Sequence, residues 1–340
     1  VKLDQLEEAV RFVRSGHDLS EEEMGGVIDF LLTGQADSNK VRDLLLALRD
    51  KGETANELVG AARAMRRHMT PITHHHPVLL DTCGTGGSGS GSFNISTAVA
   101  IVIAACGVPV AKHGNRRATS PSGSADVLSA LGVAIEGEAE RVSEILNQIG
   151  VCFCFAPKLH PAMRHVIEVR KQLRVSTMFN VLGPLCNPAG ATHQLLGTAS
   201  LADRDKLACA LSRLGTTRSA VVWGDDGQDE VTLGGFTEVA DVRPTSIDLF
   251  RWSAKDFGLT SVTLSQLRVS SPEQSAEIIR GIFNGVRGPA RDVVLAGSAA
   301  GLWLVGHSST IRDGVQAAAV AIDQGKVLAK LHELIRFSAV

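Results

Sequence analysis

The chain has 340 residues, 44% of them hydrophobic, with 34 glycines and a formal net charge of −2. That composition fits a folded protein of one large or two ordinary domains and excludes a disordered chain. It also excludes a global basic field for nucleic acid, and the absence of tyrosine, with 4% aromatics, argues against a base-stacking platform.

Residues 1 to about 70 read as helices alone. Leu3, Leu6, Val10 and Val13 recur at helical spacing. Ser20 with Glu23, and Thr54 with Glu57, have the spacing of capping boxes. Gly34 stops the second helix, and Leu44, Leu45, Leu46 and Leu48 give a third its apolar face. Val1 to Arg14 is charged and amphipathic, so it does not read as a signal peptide. The six cysteines are expected to be reduced thiols of a cytoplasmic protein, and no apolar run is long enough to argue for a membrane span. Residues 69–77, with His74-His75-His76, read as an exposed linker.

From Val78 onward strands and helices alternate. Strands are predicted at 78–80, 108–111, 151–155, 194–198 and 220–224, and helices at 98–106, 125–131, 142–149 and 204–214. The alternation predicts an α/β domain with a mostly parallel sheet covered on both faces. Residues 160–179 interrupt it with a helical pattern that can cross back to the N-terminal helices. The tail resumes with helices at 277–283, 292–305, 313–324 and 327–335.

Chemistry concentrates after the first strand. Gly84, Gly86, Gly87, Gly89 and Gly91 lead into Asn94-Ile95-Ser96-Thr97 and a buried helix. Glycines let backbone approach a phosphate, and a helix start offers free N–H groups and a positive dipole end. The Gly84-x-Gly86-x-x-Gly89 spacing matches a dinucleotide fingerprint, but the acidic residue that should follow the second strand is missing, and Lys112-His113 stands there instead. A cationic turn, Lys112 to Arg117, is expected after that strand, followed by the hydroxyls of Thr119, Ser120, Ser122 and Ser124. The acidic loop from Asp225 to Glu230 suits Mg²⁺, which takes one or two carboxylates plus substrate phosphates. His165, Arg170, Lys171 and Arg174 lie on the interrupting stretch, where one guanidinium could grip a carboxylate.

Gly84-Thr-Gly86-Gly87, Asn94-Ile-Ser96-Thr97, Lys112-His-Gly-Asn115-Arg116, Val169-Arg170-Lys171, Phe179 to Pro188, and Gly227-Gln-Asp229-Glu230 resemble the motifs of the anthranilate phosphoribosyltransferase family, in order over nearly the whole chain. The resemblance implies a small all-helical domain on a larger α/β domain, a homodimer joined through the helical domain, and transfer of phosphoribosyl from phosphoribosyl pyrophosphate to anthranilate in tryptophan synthesis. Domain bounds are expected at 1–76 with inserted helices at 158–188, and at 77–157 with 189–340. The implied phosphoribosyl pyrophosphate site is Gly84, Gly87, Ser88, Ser92, Asn94, Ile95, Ser96 and Thr97, then Lys112, His113, Gly114, Asn115, Arg116, Arg117, Ala118, Thr119 and Ser120, with Ser124. Anthranilate would meet Gly84, Asn115, Arg170 and Pro184, and Mg²⁺ would meet Ser96, Asp229 and Glu230. Lys112, Asn115 and Arg170 would carry catalysis.

The chain departs from the family pattern at Ser88, where Asp is usual, and at Ser92, where Thr is usual. Arg174-Val-Ser176-Thr177 stands where Gly-Ile-Arg-Thr is usual, and Gly297 stands for Asn. A relative with another acceptor, such as a pyrimidine nucleoside phosphorylase, is the first alternative. A catalytically silent relative that binds nucleic acid through Arg164, Arg170, Lys171 and Arg174 is the second, against which the near-neutral charge and Asp229-Glu230 argue.

Overall fold

Local signals set the N-terminal helices. The computed structural model describes residues 3–116 and 123–339. Within it α1 (Leu3–Arg14), α2 (Glu21–Leu32), α3 (Ser38–Lys51) and α4 (Ala55–Arg67) form a bundle. Ser20 and Glu23 exchange both bonds of a capping box, as do Thr54 and Glu57, and Asp37 caps α3. The linker that follows is more tied down than the sequence led us to expect. Ile72 N–H donates to Pro188 O (3.0 Å), and the Nε2 atoms of His74 and His76 lie 2.8 and 3.1 Å from the Ala189 and Leu146 carbonyls.

The α/β part runs β1 (Leu80–Gly84), α5 (Ile95–Ala105), β2 (Val110–Gly114), α6 (Ser124–Leu131), α7 (Ala139–Ile149) and β3 (Val151–Phe155). Three short helices interrupt it: α8 (Ala156–Leu159), α9 (Arg164–Leu173) and α10 (Met178–Leu182). It resumes with β4 (His193–Gly197), α11 (Leu201–Leu214), β5 (Arg218–Gly224), β6 (Phe236–Val242) and β7 (Ile247–Ser253). Helices α12 (Ala254–Phe257), α13 (Pro272–Phe283), α14 (Pro289–Leu304), α15 (Ile311–Asp323) and α16 (Lys326–Ser338) close the chain.

The sheet has seven strands in the order β3-β2-β1-β4-β5-β6-β7, with β1 to β5 parallel and the last two pairings antiparallel. Successive strand residues point to opposite faces. Leu195, Ala220 and Val239 therefore join the apolar cluster with α5 and α14, while Leu196, Val221 and Ala240 join the cluster that holds α1 to α4, α9, α10 and α11. Two expectations change. β1 and β2 continue to Gly84 and Gly114, so Lys112 is a buried strand residue and not part of a turn. The antiparallel pair β6 and β7 was not foreseen. No helix among the described residues is long and apolar enough to cross a membrane.

Candidate functional site

Strand order reverses between β1 and β4, and in parallel sheets ligands bind outside the carboxyl ends at such a switch point. Here those ends are Gly84 and Gly197, which pair with each other. Asp229 lies across both. A Cβ on Gly84 would stand 2.6 Å from Asp229 Oδ2, and one on Gly197 would collide with the Asp229 backbone carbonyl. Two glycines at strand ends thus make room for Asp229, one for its carboxylate and one for its backbone.

The loop from Gly84 to Asn94 turns through left-handed conformations at Gly86, Gly87, Gly89 and Gly91. Gly86 N–H donates to Asp229 Oδ2 (3.1 Å), and Ser88 Oγ donates to Asp229 Oδ1 (2.7 Å). The hydroxyls of Ser88, Ser90 and Ser92 follow one another at 3.2 Å. A distant segment braces the loop. Phe93 N–H donates to Leu267 O, Val269 N–H to Gly91 O, and Asn94 N–H to Ser275 Oγ, each at 2.9 Å. Arg268 Nε donates to Ser90 O (3.3 Å). Sequence reasoning missed Arg268 and Ser275, which carry no local sign of such a role.

Ile95, Ser96 and Thr97 form the first turn of α5, and Thr97 Oγ1 bonds Asn94 Oδ1. Ser96 N–H donates to Glu230 Oε1 (3.1 Å). Burial, then Asp229 alongside, pushes the Glu230 carboxyl up to about 8. Lys112 Nζ reaches across from β2 to Thr82 O (2.7 Å) and Ser96 Oγ (3.1 Å). Its burial pulls the ammonium pKa down, against the pull of Asp81, Cys83 and Glu230. Asp81, also buried, accepts from His113 N–H (3.1 Å) and Gln194 Nε2 (3.3 Å). Backbone and charge partners allow these ionisable groups inside a parallel sheet.

Among the described residues no three His, Cys, Asp or Glu side chains converge as a ready metal cage. Asp229 and Glu230 instead offer two adjacent carboxylates beside a donor-rich loop. That donor set fits an ion which completes its shell with phosphate oxygens and water, as Mg²⁺ does. Asp225 and Asp226 serve the turn itself, accepting from Phe236 N–H (2.9 Å) and Thr232 Oγ1 (2.6 Å).

After β2, Gly114 leaves room for Ser124, whose Oγ donates to Asn115 O (3.4 Å). Arg116 is held by Glu136 (3.0 Å) and Asp126 (3.4 Å). Arg117, Ala118, Thr119, Ser120 and Ser122 lie outside the described residues. His113 Nδ1 lies 3.1 Å from Gly183 O, and its ring is 5.1 Å from that of His160. Burial, chiefly, lowers His113 to about 3 and His160 to about 4, so both are neutral.

The other side of the cleft comes from the interrupting helices. Arg170 lies over the Phe179 ring, 5.4 Å from its centroid. Burial lowers its pKa, and among the described residues no carboxylate pairs with it. Pro184 is buried, and its carbonyl accepts from Gln194 Nε2 (2.6 Å). No hydrogen bond joins Arg170 to Gly84 or Asn115. The two halves meet through the His113–Gly183 and Gln194–Pro184 contacts.

Residues 7–69 match the family model described as "Glycosyl transferase family, helical bundle domain", and residues 76–328 match "Glycosyl transferase family, a/b domain". The anthranilate phosphoribosyltransferase of Rhodopirellula baltica is 59% identical over 327 residues, covering 96% of each chain. The Saccharomyces cerevisiae enzyme solved in complex with phosphoribosyl pyrophosphate and Mg superposes with a TM-score of 0.92 at 28% identity, covering 99% of each chain. A second structure of that yeast enzyme, in complex with 4-fluoroanthranilate, gives 0.90 at 28% identity, again over 99% of both.

Proposed function

The chain belongs to the anthranilate phosphoribosyltransferases, within the glycosyl transferase family, and from that premise we propose how its own residues divide the work. It transfers the phosphoribosyl group of phosphoribosyl pyrophosphate to the amine of anthranilate, releasing pyrophosphate, in tryptophan biosynthesis. The phosphate cradle is the loop N–H groups from Gly84 to Gly91 with Ser88, Ser92, Asn94, Ile95, Ser96 and Thr97. Lys112, His113, Gly114, Asn115, Arg116 and Ser124 line its second side. Mg²⁺ belongs with Ser96, Asp229 and Glu230. When bound it neutralises pyrophosphate charge.

The observation that carries the acceptor assignment is Arg170, a half-buried guanidinium without a carboxylate partner among the described residues. A bidentate bond to the anthranilate carboxylate supplies the missing anion. Asn115 and Gly84 orient the ring against Pro184, and the amine then faces C1 of the ribosyl group. The nitrogen lone pair forms the new C–N bond as the C1–O bond to pyrophosphate breaks, and the amine loses a proton. Lys112 and the loop N–H groups stabilise charge that grows on the leaving oxygen, so positioning and electrostatics serve in place of a protein nucleophile.

We also read residues 1–76 with 158–188 as one helical unit, because α9 and α10 share their apolar cluster with α1 to α4. Two copies pair through that unit, and the 40% exposed Phe12 on α1 supports this. A monomeric mass in solution would exclude the pairing. The six free cysteines favour a cytoplasmic site of action. The central test is loss of anthranilate fluorescence with phosphoribosyl pyrophosphate and Mg²⁺, for wild type and Arg170→Ala. Wild type should turn over, and Arg170→Ala should raise the KM for anthranilate at least tenfold while leaving that for the other substrate within about twofold. Absence of wild-type turnover would overturn the assignment.

A further inference from the structure

Arg174, which ends α9, is the one non-glycine residue among those described with a left-handed backbone, at φ 52° and ψ 25°. Four other helices here, α6, α7, α11 and α12, also end in a left-handed residue, and each uses glycine: Gly132, Gly150, Gly215 and Gly258. An L side chain is strained in that conformation and glycine is not. Local compensation is missing as well. Arg174 is exposed, and its side chain makes no hydrogen bond, ion pair or ring contact among the described residues.

Strain that survives without a local partner points to a use for the side chain. Arg174 follows Arg170 by one helical turn. The stretch from Arg164 to Arg174 holds four cationic side chains against the single carboxylate of Glu168, in a chain with a net charge of −2. Lys171 is already paired with Glu168 (2.8 Å), so the unneutralised charge lies with the three arginines. A field of this kind, beside a site for an anionic aromatic acid, raises the local concentration of that acid.

We propose that Arg174 steers the aromatic acceptor, drawing its carboxylate toward Arg170. This rests on the acceptor assignment made above. A charge about 7–10 Å from a carboxylate on Arg170 amounts, in a water-like dielectric, to about a two- to threefold gain in capture. The gain is screened away at high ionic strength.

The test is steady-state kinetics with anthranilate for wild type, Arg174→Gly and Arg174→Lys, at low ionic strength and near 0.5 M salt. Arg174→Gly should raise KM for anthranilate about two- to threefold at low ionic strength and match wild type in high salt. Arg174→Lys should stay close to wild type in both. The glycine variant should also melt about 1–2 °C higher, because it relieves the strain, which separates loss of charge from damage to the fold. Equal KM values for wild type and Arg174→Gly at low ionic strength would overturn the proposal, as would a defect that persists unchanged in high salt. If wild type itself fails to consume anthranilate, the acceptor assignment fails first, and that result shows in the wild-type arm alone.

Discussion

Replacing Ser88 by Asp tests how the glycine loop and the acidic loop share charge. Ser88 Oγ now donates to Asp229 Oδ1 at 2.7 Å. In Ser88→Asp that donor becomes a second carboxylate beside Asp229. Two like charges about 4 Å apart repel by about 1 kcal/mol in a water-like dielectric and by about 4 kcal/mol at an effective value near 20. Ser88 is half-buried and the loop can relax, so the lower part of that range applies. Without a divalent ion the variant should therefore melt below wild type. A bound dication reverses the sign and doubles the magnitude, so about 2 kcal/mol of attraction should tighten Mg²⁺ binding about thirtyfold. Ser88→Ala removes the donor without adding charge and should weaken Mg²⁺ binding instead. Thermal unfolding across a Mg²⁺ titration, with and without phosphoribosyl pyrophosphate, reads all three proteins. Identical melting of wild type and Ser88→Asp, with identical Mg²⁺ midpoints, would refute the claim that position 88 shares charge with Asp229.

Gly197→Ala pushes a Cβ into the Asp229 backbone carbonyl. Urea unfolding should show a loss of about 1–3 kcal/mol together with lowered activity, and an unchanged midpoint with full activity would mean that the Asp229 loop is free to move aside. His113 and His160 stay neutral in the fold, at about 3 and about 4. Below pH 6.5 the unfolded chain takes up protons that the folded one refuses, so stability should fall as pH drops from about 6.5 toward 4, by about 1.4 kcal/mol per unit for each histidine. His160→Phe should flatten that slope by one histidine's share in denaturant titrations between pH 4.5 and 6.5, whereas a slope equal to wild type would show that His160 protonates freely in the fold.

What could be read from the sequence was what is local. Capping boxes and the glycine loop are each written within a few neighbouring residues and stand where expected, whereas α5 begins at Ile95, three residues before the predicted helix. The ends of β1 and β2 were misplaced because Asp81 and Lys112 look like strand-ending charges. They are buried only because Thr82, Ser96, His113 and Gln194, scattered along the chain, supply their partners. β7 was hidden for another reason. Leu249, on its outward side, is 61% exposed, and Ile247 beside it is exposed too, so the apolar alternation that marks a half-buried strand is blurred. The bracing of the glycine loop by Arg268 and Ser275 joins residues 178 and 181 positions apart, and no spacing rule reaches that far.

The apolar interior decides how the two anchors of the reaction are kept at a fixed distance. The proposed phosphate cradle belongs to the sheet ends, whereas Arg170 sits on α9, which packs against α2 and α3. A reaction that depends on placing an amine against C1 needs those two halves held rigidly. The cluster beneath the bundle provides this, because it runs on into Cys83, Leu196 and Val221 of the sheet and into Leu207 and Leu211 of α11. Leu211, buried at this join, is not among the residues assigned to either substrate. Leu211→Ala should cost about 2–5 kcal/mol in stability through the cavity it leaves. Its kinetic signature should be a lowered kcat with both KM values within about twofold of wild type, since each anchor still binds its own ligand while their separation loosens. Steady-state kinetics well below the melting temperature separates this from partial unfolding. A variant that loses stability yet keeps its kcat would show that the cluster serves the fold alone and that the distance between the anchors is set elsewhere.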